Sequence, residues 1–247
     1  MKQVFLRVDE NIRIADRTYR MRLSGDISAF TAPGQFLNLK LDGFTLRRPI
    51  SVYDKDGESV TIVYKTVGEG TLAMSRIQPG AVLDVLTGLG NGYDTGKSGD
   101  TPLLIGGGVG VPPLYLLCRC LVAQGKHPTV ILGFNSAAEV FGEEEFRALG
   151  VPVKLATADG SRGVRGFVTD CMRDVSYSYF YACGPMPMFR AIEKIAVGSG
   201  QYSFEERMGC GFGACMGCTC RTLTGGKRIC VDGPVLEREE ILWQTQA

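Results

Sequence analysis

Histidine is almost absent from this chain of 247 residues, which has only His127. Mixed Cys/His zinc sites and histidine-based acid–base catalysis are therefore disfavoured as its main chemistry. A charge excess is missing too. Lys and Arg number 27 against 26 Asp and Glu, a net charge of +1. That leaves no clustered basic footprint for nucleic acid. The first residues, "MKQVFLRVDENIRI", carry charges throughout and no apolar core, so they do not read as a signal peptide. The longest apolar stretch, Thr101 to Val122, is interrupted by three prolines, four glycines and Arg119. It would span a membrane poorly. Internal repeats and low-complexity segments are lacking as well. These absences predict a cytoplasmic protein, a compartment in which nine cysteines are not a disulfide framework.

What is present is an ordinary globular composition, 45% apolar and 21% charged. The length allows two domains with normal cores. Residues 1–97 hold short strand-like runs such as "SVTIVYKTV" and "AVLDVLTG", closed by turn residues, with a short helix at "TLAMSRI". They predict a small antiparallel β-barrel. Residues 98–200 alternate strand and helix. Leu114, Leu117, Cys118 and Leu121 repeat at helical spacing, "AEVFGEEEFRALG" reads as one amphipathic helix, and Phe167, Val168, Cys171, Met172 and Val175 fall on one helical face. This predicts a parallel α/β domain. Residues 201–247 are rich in Cys and Gly and too few for a core of their own, so a metal or a disulfide is expected to hold them.

The stretch "MGCGFGACMGCTC" places Cys210, Cys215 and Cys218 at C-x4-C-x2-C spacing, and Cys230 follows after eleven residues. This is the plant-type [2Fe–2S] pattern. Glycines between the thiols let a short loop wrap a cluster and aim its N–H groups at sulfur. Cys220 competes for the fourth position, and zinc or plain buried thiols are the other readings. Structural zinc sites usually pair two close cysteine couples, and Cys230 has no such neighbour.

Two further motifs point to dinucleotides. "LLIGGGVGVPP" runs from an apolar strand through Gly107, Gly108, Val109 and Gly110 into a helix, where a pyrophosphate could meet the backbone. Val111 stands where the full fingerprint has Gly or Ala, and a plain tight turn is the alternative. "YACGPMPM" ends a second strand at Cys183, Gly184, Pro185 and Met186. Cys183 is either a core residue or a catalytic candidate beside a nicotinamide ring. In the first segment, Arg48, Pro49, Ile50 and Ser51 precede "VYKTVGEGT", which holds Val63, Tyr64, Lys65, Gly70 and Thr71. A guanidinium, a hydroxyl and a glycine turn suit a diphosphate and a flavin edge, although a surface arginine and an ordinary turn would look the same.

The order of these motifs, barrel, dinucleotide turn and cysteine loop, resembles the ferredoxin–NADP reductase superfamily. "EERMGCGFGACMGC" followed by "CVDGPVL" is similar to the electron-transfer subunits of class 1B (NAD-dependent) dihydroorotate dehydrogenases, and the resemblance covers essentially the whole chain. It implies FAD on Arg48–Ser51, Val63–Lys65, Gly70 and Thr71, and the nicotinamide cofactor at Gly107–Gly110 and Cys183–Met186. It also implies a [2Fe–2S] cluster on Cys210, Cys215, Cys218 and Cys230. Cys220 stands where the family has no ligand, and the loop from Cys218 to Cys230 is short for it. The resemblance further implies a partner, an FMN-containing catalytic subunit that oxidises dihydroorotate, in a heterotetramer of two of each chain. Electrons would pass from FMN through the cluster to FAD and on to NAD⁺, in pyrimidine biosynthesis. A (β/α)₈ barrel needs about 250 residues of its own, so the pyrimidine chemistry is expected on that second chain. NAD is expected over NADP because "NSAAEVF" after "VILGF" offers no Arg or Lys to a 2′-phosphate. The rival readings are an NADH-dependent ferredoxin:NADP oxidoreductase or sulfide dehydrogenase subunit, and a zinc-stabilised nucleotide-binding regulatory module.

Overall fold

A computed structural model describes residues 1–243. Six strands close into an antiparallel barrel in the order β1-β2-β5-β4-β3-β6. They are β1 (Lys2–Ala15), β2 (Thr18–Ser24), β3 (Phe36–Leu39), β4 (Arg48–Asp56), β5 (Ser59–Lys65) and β6 (Val82–Leu89), with a short helix α1 (Glu69–Met74) between the last two. The alternation of β1 explains the closure. Val4, Leu6 and Val8 are buried inside while Gln3, Phe5 and Arg7 face out, as a strand's period of two requires.

A seven-stranded sheet follows in the order β10-β9-β8-β7-β11-β12-β15. Its chain path is β7 (Pro102–Gly107), α2 (Pro112–Ala123), β8 (Thr129–Phe134), α3 (Glu143–Ala148), β9 (Val153–Thr157), β10 (Val164–Arg165), α4 (Val168–Met172), β11 (Tyr179–Cys183), α5 (Met186–Glu193) and β12 (Gly200–Ser203). The central strands β7 and β11 are buried almost end to end, as strands covered on both faces must be. A hairpin of β13 (Thr219–Thr222) and β14 (Gly225–Arg228) leads to β15 (Val235–Glu237), which adds antiparallel to β12. So the sheet is parallel except at that edge. Ile229, Cys230, Leu236 and Ile241 share one core with Phe36, Phe189 and Tyr202. The cysteine segment is thereby packed on the barrel and the sheet.

Helix α2 joins the two halves. Leu114, Leu117, Cys118 and Leu121 enter the sheet core, while Leu116 and Cys120 pack on the barrel core. Burying each such leucine is worth roughly 1.5–3 kcal/mol. Arg119 also pairs with Asp54 of β4.

Two local expectations are corrected. "AEVFGEEEFRALG" is not one helix: a 3₁₀ turn at Ala137–Glu139 stops, and α3 begins only after Gly142, whose φ is +77°. A left-handed residue cannot continue a right-handed helix. Phe167 also leaves the apolar face on which its spacing placed it. It precedes α4 in extended conformation and is 68% exposed, while Val168, Cys171 and Met172 are buried.

Candidate functional site

Two clefts meet where the barrel faces the carboxyl edge of the sheet. The first, of about 660 Å³, is lined by Arg48, Pro49, Ile50, Ser51, Val63, Tyr64, Lys65 and Thr71 from the barrel, and by Val109, Gly110, Cys183 and Gly184 from the sheet. Gly70 lies beneath Arg48: a Cβ there would come within 2.0 Å of Arg48 Nε. The guanidinium therefore rests on the turn that opens α1. It also stacks on Phe44, 4.9 Å from the ring centre, and donates to the Leu46 carbonyl at 2.6 Å. Thr71 Oγ1 accepts from the Val67 and Gly68 N–H groups and ties the turn.

The second cleft, of about 570 Å³, is lined by Gly107–Gly110, Gly184 and Pro185, facing Phe134, Asn135 and Gly166–Thr169. Both volumes are normal for ligand sites. Gly110 is the tightest point, because a Cβ there would sit 2.2 Å from the Cys183 carbonyl oxygen. Only glycine lets the two turns touch. Lys65, Val109, Gly110, Gly184 and Glu205 line both clefts, so a molecule in one reaches the wall of the other. Cys183 faces the first cleft rather than the second. Burial pushes its thiol up to about 12, so it stays protonated at neutral pH and is no thiolate nucleophile. Met186 opens α5 but lines neither cleft; Met188, two residues further on, packs over Gly107 and Gly184.

Sequence reasoning missed Phe134, Asn135, Glu139, Phe167 and Glu205. The sequence placed Phe167 on a helical face, and no motif marks any of the five. Glu139 binds Lys65 at 2.8 Å and accepts from Asn135 at 3.0 Å. Burial alone would raise its carboxyl, and the Lys65 ammonium and the Asn135 amide outweigh that, leaving it below the usual value.

The cysteine loop sits at the other side of the first cleft, reached through Phe204–Met208. Cys210 and Cys215 exchange two N–H···S bonds of 3.4 Å. Hairpin β13–β14 then turns the chain back, so that Ile229 N–H donates to the Cys218 carbonyl and Cys230 N–H to Cys218 Sγ at 3.4 Å. The thiols thus stand as two pairs, and among the described residues no three His, Cys, Asp or Glu side chains converge on one ion position. Burial opposes ionisation of Cys210, but N–H groups of Phe212, Cys215 and Ala214 outweigh it and bring the thiol to about 6. Burial, with Cys218 beside it, pushes Cys230 up to about 12. Cys220 lies in β13 opposite Lys227 and packs on the core.

Comparison with known proteins identifies this arrangement. Residues 205–242 match the family model described as the iron–sulfur cluster binding domain of dihydroorotate dehydrogenase B. The chain is 45% identical to the dihydroorotate dehydrogenase B (NAD(+)) electron transfer subunit of Bacillus pumilus, over 98% of each chain. This chain belongs to that family of electron transfer subunits. A Fusobacterium nucleatum member is 43% identical over 92% of this chain and 94% of its own. Among solved structures, an NADH-dependent reduced ferredoxin–NADP oxidoreductase superposes with a TM-score of 0.86 at 28% identity, covering 96% of this chain and 90% of that one. The cytochrome b5 reductase domain of Ulva prolifera nitrate reductase shares the fold, with a TM-score of 0.66 at 17% identity over 80% of this chain and 94% of its own. The family's ferredoxin-reductase-like fold is thus the barrel and sheet described above. No helix among the described residues is long and apolar enough to cross a membrane.

Proposed function

We propose that this chain carries electrons between a dihydroorotate-oxidising partner and NAD⁺, through three groups that neighbouring sites of the chain would hold. The observation that carries the reading is the shared wall of the two clefts at Lys65, Val109, Gly110, Gly184 and Glu205, with the paired thiols beyond the first of them. FAD fits the first cleft: Arg48 is seated over Gly70 to meet a diphosphate, Thr71 fixes that turn, and Ile50, Ser51, Val63 and Tyr64 wall the flavin side. NAD fits the second, with Gly107–Gly110 against the pyrophosphate, Gly184 at the nicotinamide end where this cleft opens toward Cys183 in the first, and Phe167 exposed for the adenine. Cys210 with Cys215 and Cys218 with Cys230 supply the two thiolate pairs that a two-iron cluster needs, whereas a single zinc needs four thiols around one point. When bound, the flavin supplies exchange between hydride and single electrons and the cluster a one-electron carrier.

The remaining work falls to the chain. Gly110 lets the nicotinamide turn touch the Cys183 turn. The neutral Cys183 thiol keeps a charge out of the place where the two rings would meet. Phe212 and Met216 project from the cysteine loop, 45% and 57% exposed, and form the docking face for the partner. That partner is an FMN-containing catalytic chain, two of each in the complex, working in cytoplasmic pyrimidine synthesis.

The test is to assay the purified chain with and without that partner. NADH-driven dye reduction should need this chain alone, and dihydroorotate-dependent NAD⁺ reduction should need both. Dihydroorotate oxidation by this chain alone would sink the subunit reading. A colourless protein holding stoichiometric zinc would sink the cofactor reading in favour of a regulatory module.

A further inference from the structure

The barrel and the cysteine loop are joined by one buried amide. Asn38 sits in β3 directly across from Pro49 of β4 and is only 1% exposed. Its Nδ2 donates to the carbonyl of Cys210 at 3.0 Å. The next residue, Gly211, has φ +78°, and a Cβ on it would fall 2.3 Å from that same Nδ2. The loop therefore lies flat on the amide, which only glycine permits. Arg47, ion-paired with Asp84, donates to the Asn38 carbonyl and holds the strand from behind. Among the described residues, Asn38 Oδ1 is buried without a partner. An orphan buried acceptor destabilises the fold, so a plain structural strand position would favour an apolar residue here.

We propose that Asn38 is a positioning residue which seats the Cys210 corner of the cluster loop against the flavin-binding strand. It is one side chain that contacts a ligand-bearing loop on one side and neighbours the Arg48–Ser51 motif on the other. The inference rests on the cofactor assignment above. It deepens that assignment by naming what sets the relative placement of its two redox sites.

Two variants disturb the contact from opposite sides: Asn38→Leu removes the amide, and Gly211→Ala inserts a methyl beneath it. The holoprotein is mixed with NADH, and flavin and cluster bleaching are followed separately, each chain's cluster taking one electron. Iron and sulfide content and the electron paramagnetic resonance spectrum of the chemically reduced cluster are recorded beside it. Both variants should keep wild-type iron, sulfide and flavin bleaching. Cluster bleaching should slow severalfold, and the resonance spectrum should change. Wild-type cluster kinetics and spectrum in either folded variant would overturn the proposal. So would loss of iron with flavin retained, since the contact would then only tether the loop. If Asn38→Leu does not fold, Gly211→Ala decides alone, and its failure to fold with flavin would also count against a local positioning role. Failure of the underlying cofactor assignment looks different, because the unmodified protein would then hold no iron and sulfide.

Discussion

Adding one methyl to Gly110 tests the meeting of the two turns. The Cβ of Gly110→Ala would stand 2.2 Å from the Cys183 carbonyl oxygen, 2.4 Å from its carbon and 2.6 Å from the Gly184 nitrogen. All three are backbone atoms at or just past the end of the central strand β11, whose last residue Cys183 is paired in the sheet, so no side chain can swing aside. The strain must be met by moving one turn away from the other. Overpacking of this kind costs about 1–3 kcal/mol. At about 2–4 °C for each kcal/mol in a chain of this size, the melting temperature should fall by roughly 2–12 °C. The functional loss should be larger than the stability loss suggests. The parted turns line both clefts, and a shift of about 1 Å at a positioned group can cost on the order of a hundredfold in rate. Stopped-flow reduction of the flavin by NADH measures this, with the rate taken per bound flavin because Gly110 also lines the flavin cleft. An alanine variant with unchanged melting and unchanged flavin reduction would refute the close approach and the site built on it.

Other outcomes follow from the same geometry. Serine at Cys210, Cys215, Cys218 or Cys230 should each abolish the cluster, read as iron content and visible absorbance, whereas Cys220→Ser should retain it. Arg48→Ala should weaken FAD binding roughly ten- to hundredfold, since charge-assisted bonds are worth about 1.5–3 kcal/mol; a fluorescence titration of the flavin-free protein reads this. Glu139→Gln should lower stability by less than about 1 kcal/mol, because its pair with Lys65 is partly exposed. The Glu139 carboxyl is held below its unfolded value. Its contribution is therefore complete above about pH 4.3 and disappears as pH falls through the lower folded value. The melting difference from wild type should accordingly vanish in acid; a difference that grows there would contradict the assignment.

Much of this protein was legible from residue order alone. The β-branched runs of β5 and β6, closed by turn residues, declare barrel strands, and the apolar run that enters the glycine turn declares β7. Both follow from local chain geometry, which a sequence encodes directly. The cysteine spacing names a cluster loop because a short loop has few ways to aim three thiols. Where tertiary contact decides, the sequence is silent. "AEVFGEEEF" carries a helical period, but the left-handed Gly142 breaks it. Phe167 has the right spacing for a buried stripe, yet its extended backbone turns it into the cleft. Cys220 and Cys230 compete on paper, and only the return of hairpin β13–β14 carries Cys230 onto Cys218. Asn38 has no motif at all. Its place depends on a cross-strand neighbour and on a loop 172 residues further along the chain, and partners that distant meet only when the barrel, the sheet and the hairpin have packed together.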